Sequence, residues 1–441
     1  MSPAWQRGWR LIAGARAAWG VALAIAVAAA AAAYRLTPLR PVGMARDDGE
    51  YLAYALALLA GLGFVDPADP GHPPAARYPI GYPLLLAAVL QLAPEPIPAA
   101  LALGPLCLGV ALLAGWQLLH RVGGLPPWAA TALTGLGALD VTRHEFAATT
   151  RSDVPFAALA ALALLVLERP LREPRAGDAP RWLLGGLLVG AATLVRSAGW
   201  ALVLALGWVA WRRGRLREAW PAVAPIALMV GGWSAWDAVR GAQSYGATFA
   251  ATMPEGGAAW LTRAGLVLGQ LLGGDLAACL WPLKGLTGAW PVAASIGLAL
   301  LALAGTGRWL WRPASFAPGT ELAAAFAATT VAISVVWSLG FVQFSPGVQA
   351  RFLFPAAPGL AIAAWGLGRL AWRGAPGGRA AVAAALVGAL ALAAWSFQRH
   401  PVGQALGPGR AALLARRADW DALFAAIRAV VPPGGRVVSQ H

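Results

Sequence analysis

Asp47, Asp48 and Glu50 place three carboxylates within four residues of a chain that has only 19 acidic residues among 441, and Tyr51 follows directly. Carboxylates at that density serve as bases, as anchors for hydroxyl groups, or as the start of a helix. Adjacent side chains point roughly 100° apart on a helix, or to opposite faces of an extended strand, so Asp47 and Asp48 are unlike partners sharing one proton. One can act as a base while the other anchors. A structural reading fits the same residues: Asp47 as N-cap and Glu50 as its capping-box partner would open a helix over Tyr51 to Leu62, with Gly63 ending it. The two readings are compatible, because a capping carboxylate keeps a second oxygen.

Other reactive side chains come in short groups. Arg77, Tyr78 and Tyr82 set a cation and two phenols around Pro79 and Pro83, which fits an amphiphile's headgroup as well as an aromatic belt with a snorkelling arginine. Asp140, His144, Glu145, Arg151, Ser152 and Asp153 crowd a second polar stretch. Arg196 stands alone between two short apolar runs, and an arginine at mid-bilayer costs about 2.5 to 3.5 kcal/mol, so it must line a cavity or reach the interface. Arg263, Lys284, Gln349 and Arg351 complete the candidates, and His72 reads as a loop residue within a Pro/Gly-rich run.

The elements that must position these residues are membrane spans. Hydrophobic residues make up 59% of the chain, charged residues 12%, and mean hydropathy is +0.62, which a soluble globule cannot accommodate. The fold class is therefore an all-α polytopic membrane protein. A net charge of +15 would suggest nucleic acid in a soluble chain, but the arginines cluster between apolar runs as cytoplasmic loops do, and no nucleic-acid partner is expected. Lys284 is the sole lysine among 34 basic residues, a skew that points to a GC-rich bacterial genome. Cys107 in an apolar run and Cys279 in a polar-interrupted one support neither a disulfide framework nor a cysteine metal site.

With about 20 apolar residues for each ~30 Å crossing, spans fall near 17–35, 99–119, 126–140, 153–168, 182–196, 198–211, 220–239, 289–308, 321–342, 351–370 and 380–397. That makes about eleven transmembrane helices, within a range of about ten to thirteen. Segment 81–93 is read as an interfacial helix, since a crossing there would put the arginine clusters at 169–175 and 212–217 outside. The N-terminus is then cytoplasmic, with an uncleaved first helix, and the acids lie on the extracytoplasmic face. Residues 1–397 form the membrane domain. Residues 398–441 form a short extracytoplasmic tail, too small for its own core, that docks on the loops or is truncated.

Three motifs in order carry a resemblance: Asp47-Asp48-Gly49-Glu50-Tyr51, Tyr78-Pro79-Ile80-Gly81-Tyr82-Pro83, and Gln349-Ala350-Arg351-Phe352-Leu353-Phe354-Pro355. Together they resemble the GT-C membrane glycosyltransferases, in the branch similar to protein O-mannosyltransferases and bacterial aminoarabinose (lipid A) transferases. Those families carry an acidic pair in the first extracytoplasmic loop, a Tyr-Pro-Pro-type segment before the second span, and an Arg-Tyr/Phe-Leu-x-Pro segment opening a late span. Ile80 stands where a second proline is common and Asp48 where glutamate often stands, and both exchanges keep the functional groups. The resemblance spans about 1–400 in motif order and implies a GT-C-like bundle in the inner or plasma membrane, with extracytoplasmic juxtamembrane helices in the first loop.

The resemblance also implies an activity in the cell envelope: transfer of a hexose or pentose from a polyprenyl-phosphate donor to an acceptor hydroxyl on a lipid, glycan or protein. It implies Asp47 as general base of an inverting single displacement, with Asp48 beside it as the second catalytic acid. Glu50, Tyr51, Arg77, Tyr78, Tyr82, Glu145, Arg151, Arg196, Lys284, Gln349 and Arg351 are the implied substrate contacts, Arg351 foremost for the phosphate. A lipid phosphate is a stable leaving anion, so a base and cations suffice. A retaining double displacement needs carboxylates about 5 Å apart across the sugar, which adjacent residues fit poorly. No cofactor is expected; Asp140, His144 and Glu145 offer donors to a divalent metal, but at a spacing that matches no ligand signature. The rival is a multi-span transporter or lipid-linked sugar flippase, which would set ionisable residues near the midplane within inverted repeats.

Overall fold

Runs rich in alanine and leucine favour helix, and a helix satisfies its own backbone hydrogen bonds as a lipid environment requires. The computed structural model describes residues 14–39, 47–67, 71–75, 78–173, 175, 177–240, 257–270, 300–308, 311, 320–340, 353–371, 378–407, 411 and 414. Among them the regular structure is helical, with a lone β-bridge between Val65 and Pro74. The helices are α1 Ala15–Leu36, α2 Asp47–Leu59, α3 Gly81–Leu92, α4 Pro96–Gln117, α5 Pro127–Ala138, α6 Val141–Ala147, α7 Asp153–Arg172 and α8 Ala179–Val195. They continue with α9 Trp200–Arg212, α10 Trp220–Ile226, α11 Gly232–Val239, α12 Gly257–Gln270, α13 Thr320–Gly340, α14 Ala357–Ala371, α15 Gly378–Arg399 and α16 Pro401–Leu406.

Five stretches of the described residues are long and apolar enough to cross a membrane: Ala15–Leu39, Pro96–Val122, Asp153–Arg172, Trp220–Val239 and Ala380–Arg399. The chain is thus an all-α membrane protein. Helix α3 has 12 residues, and α5 and α9, in the expected spans 126–140 and 198–211, have 12 and 13, each shorter than the roughly 20 residues of a full crossing. The expected span 289–308 is described only over 300–308, and α12 lies in a region where hydropathy alone suggested a long loop.

Helix α7 packs against both α4 and α8; α8 packs on α10, α1 on α4 and α5, α2 on α3, and α9 on α13. At the end of α7 the Arg213 guanidinium binds the Glu321 carboxylate and donates to the Leu171 carbonyl at 3.0 Å, which ties α7, α9 and α13 together. The first residues of the tail form α16, whose Val402 and Ala405 pack on Leu36, Val141 and Ala148.

The first-loop helix departs from its expected limits. It begins at Asp47 and closes at Leu59, so Asp47, Asp48 and Glu50 all lie in its first turn and Asp47 is not a cap ahead of it. Carboxylates there meet the positive end of the helix dipole. The helix is stopped by Gly61, not Gly63: Gly61 has φ +75, its N–H reaches the Leu58 carbonyl at 3.2 Å, and the Leu62 N–H reaches Ala57 at 3.0 Å. That is a Schellman turn, in which the left-handed residue, Gly61, stands immediately before the last donor, Leu62.

Helix α4 comes so close to α6 that a methyl group on Gly104 would overlap the Ala147 carbonyl oxygen. Gly104→Ala therefore forces α6 away from α4 and should destabilise the protein by about 1 to 3 kcal/mol. Thermal melting in detergent measures this, and an unchanged midpoint would show that the two helices do not meet there.

Candidate functional site

The first turn of α2, the start of α3 and the segment from α6 into α7 converge on the acidic cluster. Asp47 is half-buried and its Oδ1 accepts a hydrogen bond from the Tyr78 hydroxyl at 2.9 Å. Asp48, its neighbour, is 1% exposed; its Oδ1 accepts the Gly49 N–H at 3.0 Å and its carbonyl accepts the Thr150 hydroxyl at 2.8 Å. The two adjacent acids thus sit in different surroundings, as side chains about 100° apart on a helix must. Glu50 is half-buried in the same turn. Pro83 occupies the third position of α3, where a missing N–H costs no helical bond, so the chain can turn from Tyr78 directly into helix.

Tyr51 is buried on α2. Its ring lies 4.6 Å from that of Tyr78 and 5.0 Å from that of Tyr82, the latter edge-on, and its hydroxyl is 2.9 Å from Ser152 Oγ. Tyr82 is fully buried and its hydroxyl has no hydrogen-bond partner among the described residues. Tyr54 continues the aromatic packing to Phe64, and Phe64 to Trp233, which anchors the first loop to α11.

Arg196 falls where α8 stops and α9 has not begun, in extended backbone with φ −155 and ψ 131. It is 9% exposed, and its Nη1 lies 3.1 Å from Asp153 Oδ1 and 3.1 Å from Ser152 Oγ. Ser152 precedes α7 with helical backbone, φ −77 and ψ −11, and makes no capping bond; its hydroxyl meets Tyr51 and Arg196. Removing one member of a buried ion pair strands the other. Arg196→Met should cost about 3 to 5 kcal/mol, and Arg196→Met with Asp153→Leu should recover most of it. A melting series on the single and double variants checks this.

Helix α6 carries the second polar group. Asp140 caps it, accepting the Thr142 N–H at 2.9 Å, and pairs with Arg143 at 3.3 Å. His144 is 1% exposed and its Nε2 meets the Ala138 carbonyl at 2.6 Å, which makes Nε2 the protonated nitrogen. Arg151 lies over the Phe146 ring at 4.7 Å, and Glu145 is half-buried. Asp140 and His144 are engaged locally, and no group of three metal-ligating side chains occurs among the described residues. A cavity of about 90 Å³ lies alongside, with Asp140, Arg143 and Phe354 at one end and Leu112, Leu119 and Leu133 along its walls.

Burial lowers the His144 pKa below 6.5, against the opposing pull of the Ala138 carbonyl and Asp140, while Arg143 lowers it further. The unfolded chain then takes up the proton first, so His144 costs no stability above about pH 6.5 and destabilises the fold as pH falls below it. His144→Gln should flatten the fall in melting temperature between pH 7.5 and 5.5; an equal fall in both proteins would refute the assignment.

Asp47, Asp48, Tyr51, Tyr78, Tyr82 and Arg196 are therefore brought into one connected cluster. Glu145 and Arg151 lie on the adjoining segment. Arg77, Lys284, Gln349 and Arg351 lie outside the described residues. Ser152 and Asp153, which the sequence offers only as part of a crowded polar stretch, and Thr150, which it does not single out, are integral to the cluster. The usable signal was the run Thr149-Thr150-Arg151-Ser152-Asp153, three hydroxyls and a charge pair at the mouth of a span. No family model matches the chain, and no curated protein or solved structure matches it.

Proposed function

We propose that the chain is a GT-C-like membrane glycosyltransferase of about eleven spans, with its active site at the extracytoplasmic face. It transfers a sugar from a polyprenyl-phosphate donor to an acceptor hydroxyl. Asp47 takes the acceptor's proton while that oxygen attacks the anomeric carbon; the bond from that carbon to the phosphate oxygen breaks, and polyprenyl phosphate leaves as an anion with inversion. The observation that carries this reading is the contrast between the two acids. Asp47 is partly exposed and oriented by a phenol, whereas Asp48 is sealed in the fold. One accessible, oriented carboxylate is what a single displacement asks for.

Asp48 and Thr150 hold the turn that presents Asp47. Arg151, Arg77 and Arg351 are the cations assigned to the departing phosphate, and the apolar-walled cavity beside α6 offers room for part of a lipid chain. Sidedness supports the reading as well: α7, of 20 residues, begins beside the acids and ends near the arginines of 169–181 and 212–217, the polarity expected of a cytoplasmic end.

The test is reconstitution in liposomes with radiolabelled polyprenyl-phosphate pentoses and hexoses. Asp47→Asn should lower transfer by about 10² to 10⁴-fold with folding intact, and Tyr78→Phe by about fivefold. Transfer retained by Asp47→Asn would overturn the assignment. Movement of the labelled lipid across the bilayer, unaffected by Asp47→Asn and without transfer, would instead identify a flippase.

A further inference from the structure

We propose that Ser152 and Arg196 are positioning residues for Asp47, acting through the paired rings of Tyr51 and Tyr78. The proposal rests on the reading of Asp47 as the base. Ser152 is wholly buried, stands at the N-cap position of α7, and leaves that helix uncapped. Its backbone, at φ −77 and ψ −11, is outside the extended conformation in which a serine caps, so its hydroxyl is turned into the cluster. Here the charged Arg196 guanidinium donates to it at 3.1 Å, and the Tyr51 hydroxyl completes the contact at 2.9 Å.

Tyr51 is thereby fixed at its hydroxyl end, while its ring is fixed between Tyr78 at 4.6 Å and Tyr82 at 5.0 Å. A ring held at both ends cannot rotate without displacing its neighbour. That neighbour, Tyr78, donates its hydroxyl to Asp47 at 2.9 Å. The order is therefore Arg196 to Ser152, Ser152 to Tyr51, Tyr51 to Tyr78, and Tyr78 to Asp47, linking the break between α8 and α9 to the first turn of α2. Asp153 keeps Arg196 in place at 3.1 Å, so the relay starts from a buried ion pair.

The experiment reads Asp47 directly, without turnover. The full chain in nanodiscs is treated with a water-soluble carbodiimide and a glycine ester, and labelling at Asp47 is quantified by mass spectrometry against exposed Glu218. Carbodiimide reacts with protonated carboxyl groups, and a donated hydrogen bond favours the carboxylate. Tyr78→Phe should raise labelling at Asp47 about fivefold. Ser152→Ala, Tyr51→Phe and Arg196→Lys should raise it comparably, Ser152→Ala on top of Tyr78→Phe should add nothing, and Ser152→Thr should stay near wild type. Tyr51→Phe tests the same link from the other side should Ser152→Ala fold poorly. Labelling unchanged in both Ser152→Ala and Tyr51→Phe, with Tyr78→Phe raised, would overturn the relay. Retained sugar transfer in Asp47→Asn together with raised labelling in Ser152→Ala would reject the base assignment and leave the relay standing.

Discussion

The buried pair of Arg196 and Asp153 is the interaction on which the surrounding architecture depends. A guanidinium removed from water must find a carboxylate and further acceptors, or its burial costs several kcal/mol. That requirement fixes where α8 ends. Arg196 takes up extended backbone where α8 ends, and a short 3-10 turn then leads into α9. It holds the start of α7 too, since Asp153 is that helix's first residue and the Ser152 hydroxyl just before it helps solvate the cation. Two short helices and the mouth of a long one are thereby tied to one charge.

From that anchor the cluster extends by contacts of modest strength that share one set of rigid rings. Tyr51 and Tyr78 lie in a tilted pair, the geometry that aromatic quadrupoles favour over a face-to-face sandwich. Each phenol spends its hydroxyl on a different element, one on Ser152 and one on Asp47. The rings thus do what neither hydrogen bond does alone: they connect an interior ion pair to a carboxylate at the edge of the fold. The split between Asp47 and Asp48 follows from the same helix start, because adjacent positions on the first turn of α2 cannot face the same environment.

Hydropathy and length revealed that the chain is helical and apolar, because an apolar run of span length has few other structures open to it; of the eleven expected spans, five stretches among the described residues are long enough to cross. The expected interfacial segment 81–93 and the observed α3 differ by a single residue at the end. Local rules were less decisive where two candidates stood side by side. Gly61 and Gly63 both have positive φ, and only the bonds from Gly61 and Leu62 back into α2 select the first. Asp140, His144 and Glu145 drew notice as metal donors. Asp140 turned out to cap α6 and His144 to bind the Ala138 carbonyl, uses that short polar side chains and imidazoles find within their own segment. The pairings of Ser152 and Thr150 were illegible for the opposite reason. Their partners, Tyr51 and Asp48, lie about a hundred residues away, and no periodicity in one sequence encodes such a pairing.

Helix α7 joins these local facts into an argument about the whole. It is a single rod whose first residue pairs with Arg196 and whose penultimate residue, Leu171, receives a hydrogen bond from Arg213. Arg213 in turn binds Glu321 on α13. One end of the rod is therefore clamped by a buried charge pair belonging to the acidic cluster, and the other is held by the hydrogen bond from Arg213. A rod held at both ends can neither slide along its axis nor rotate without breaking the Arg196–Asp153 pair or the hydrogen bond from Arg213 to the Leu171 carbonyl, so the segment from Thr150 to Asp153 has its register set from the far end of α7 as well as from beside it. The break between α8 and α9 is what lets a cation reach in from the turn between them and make the clamp at Asp153.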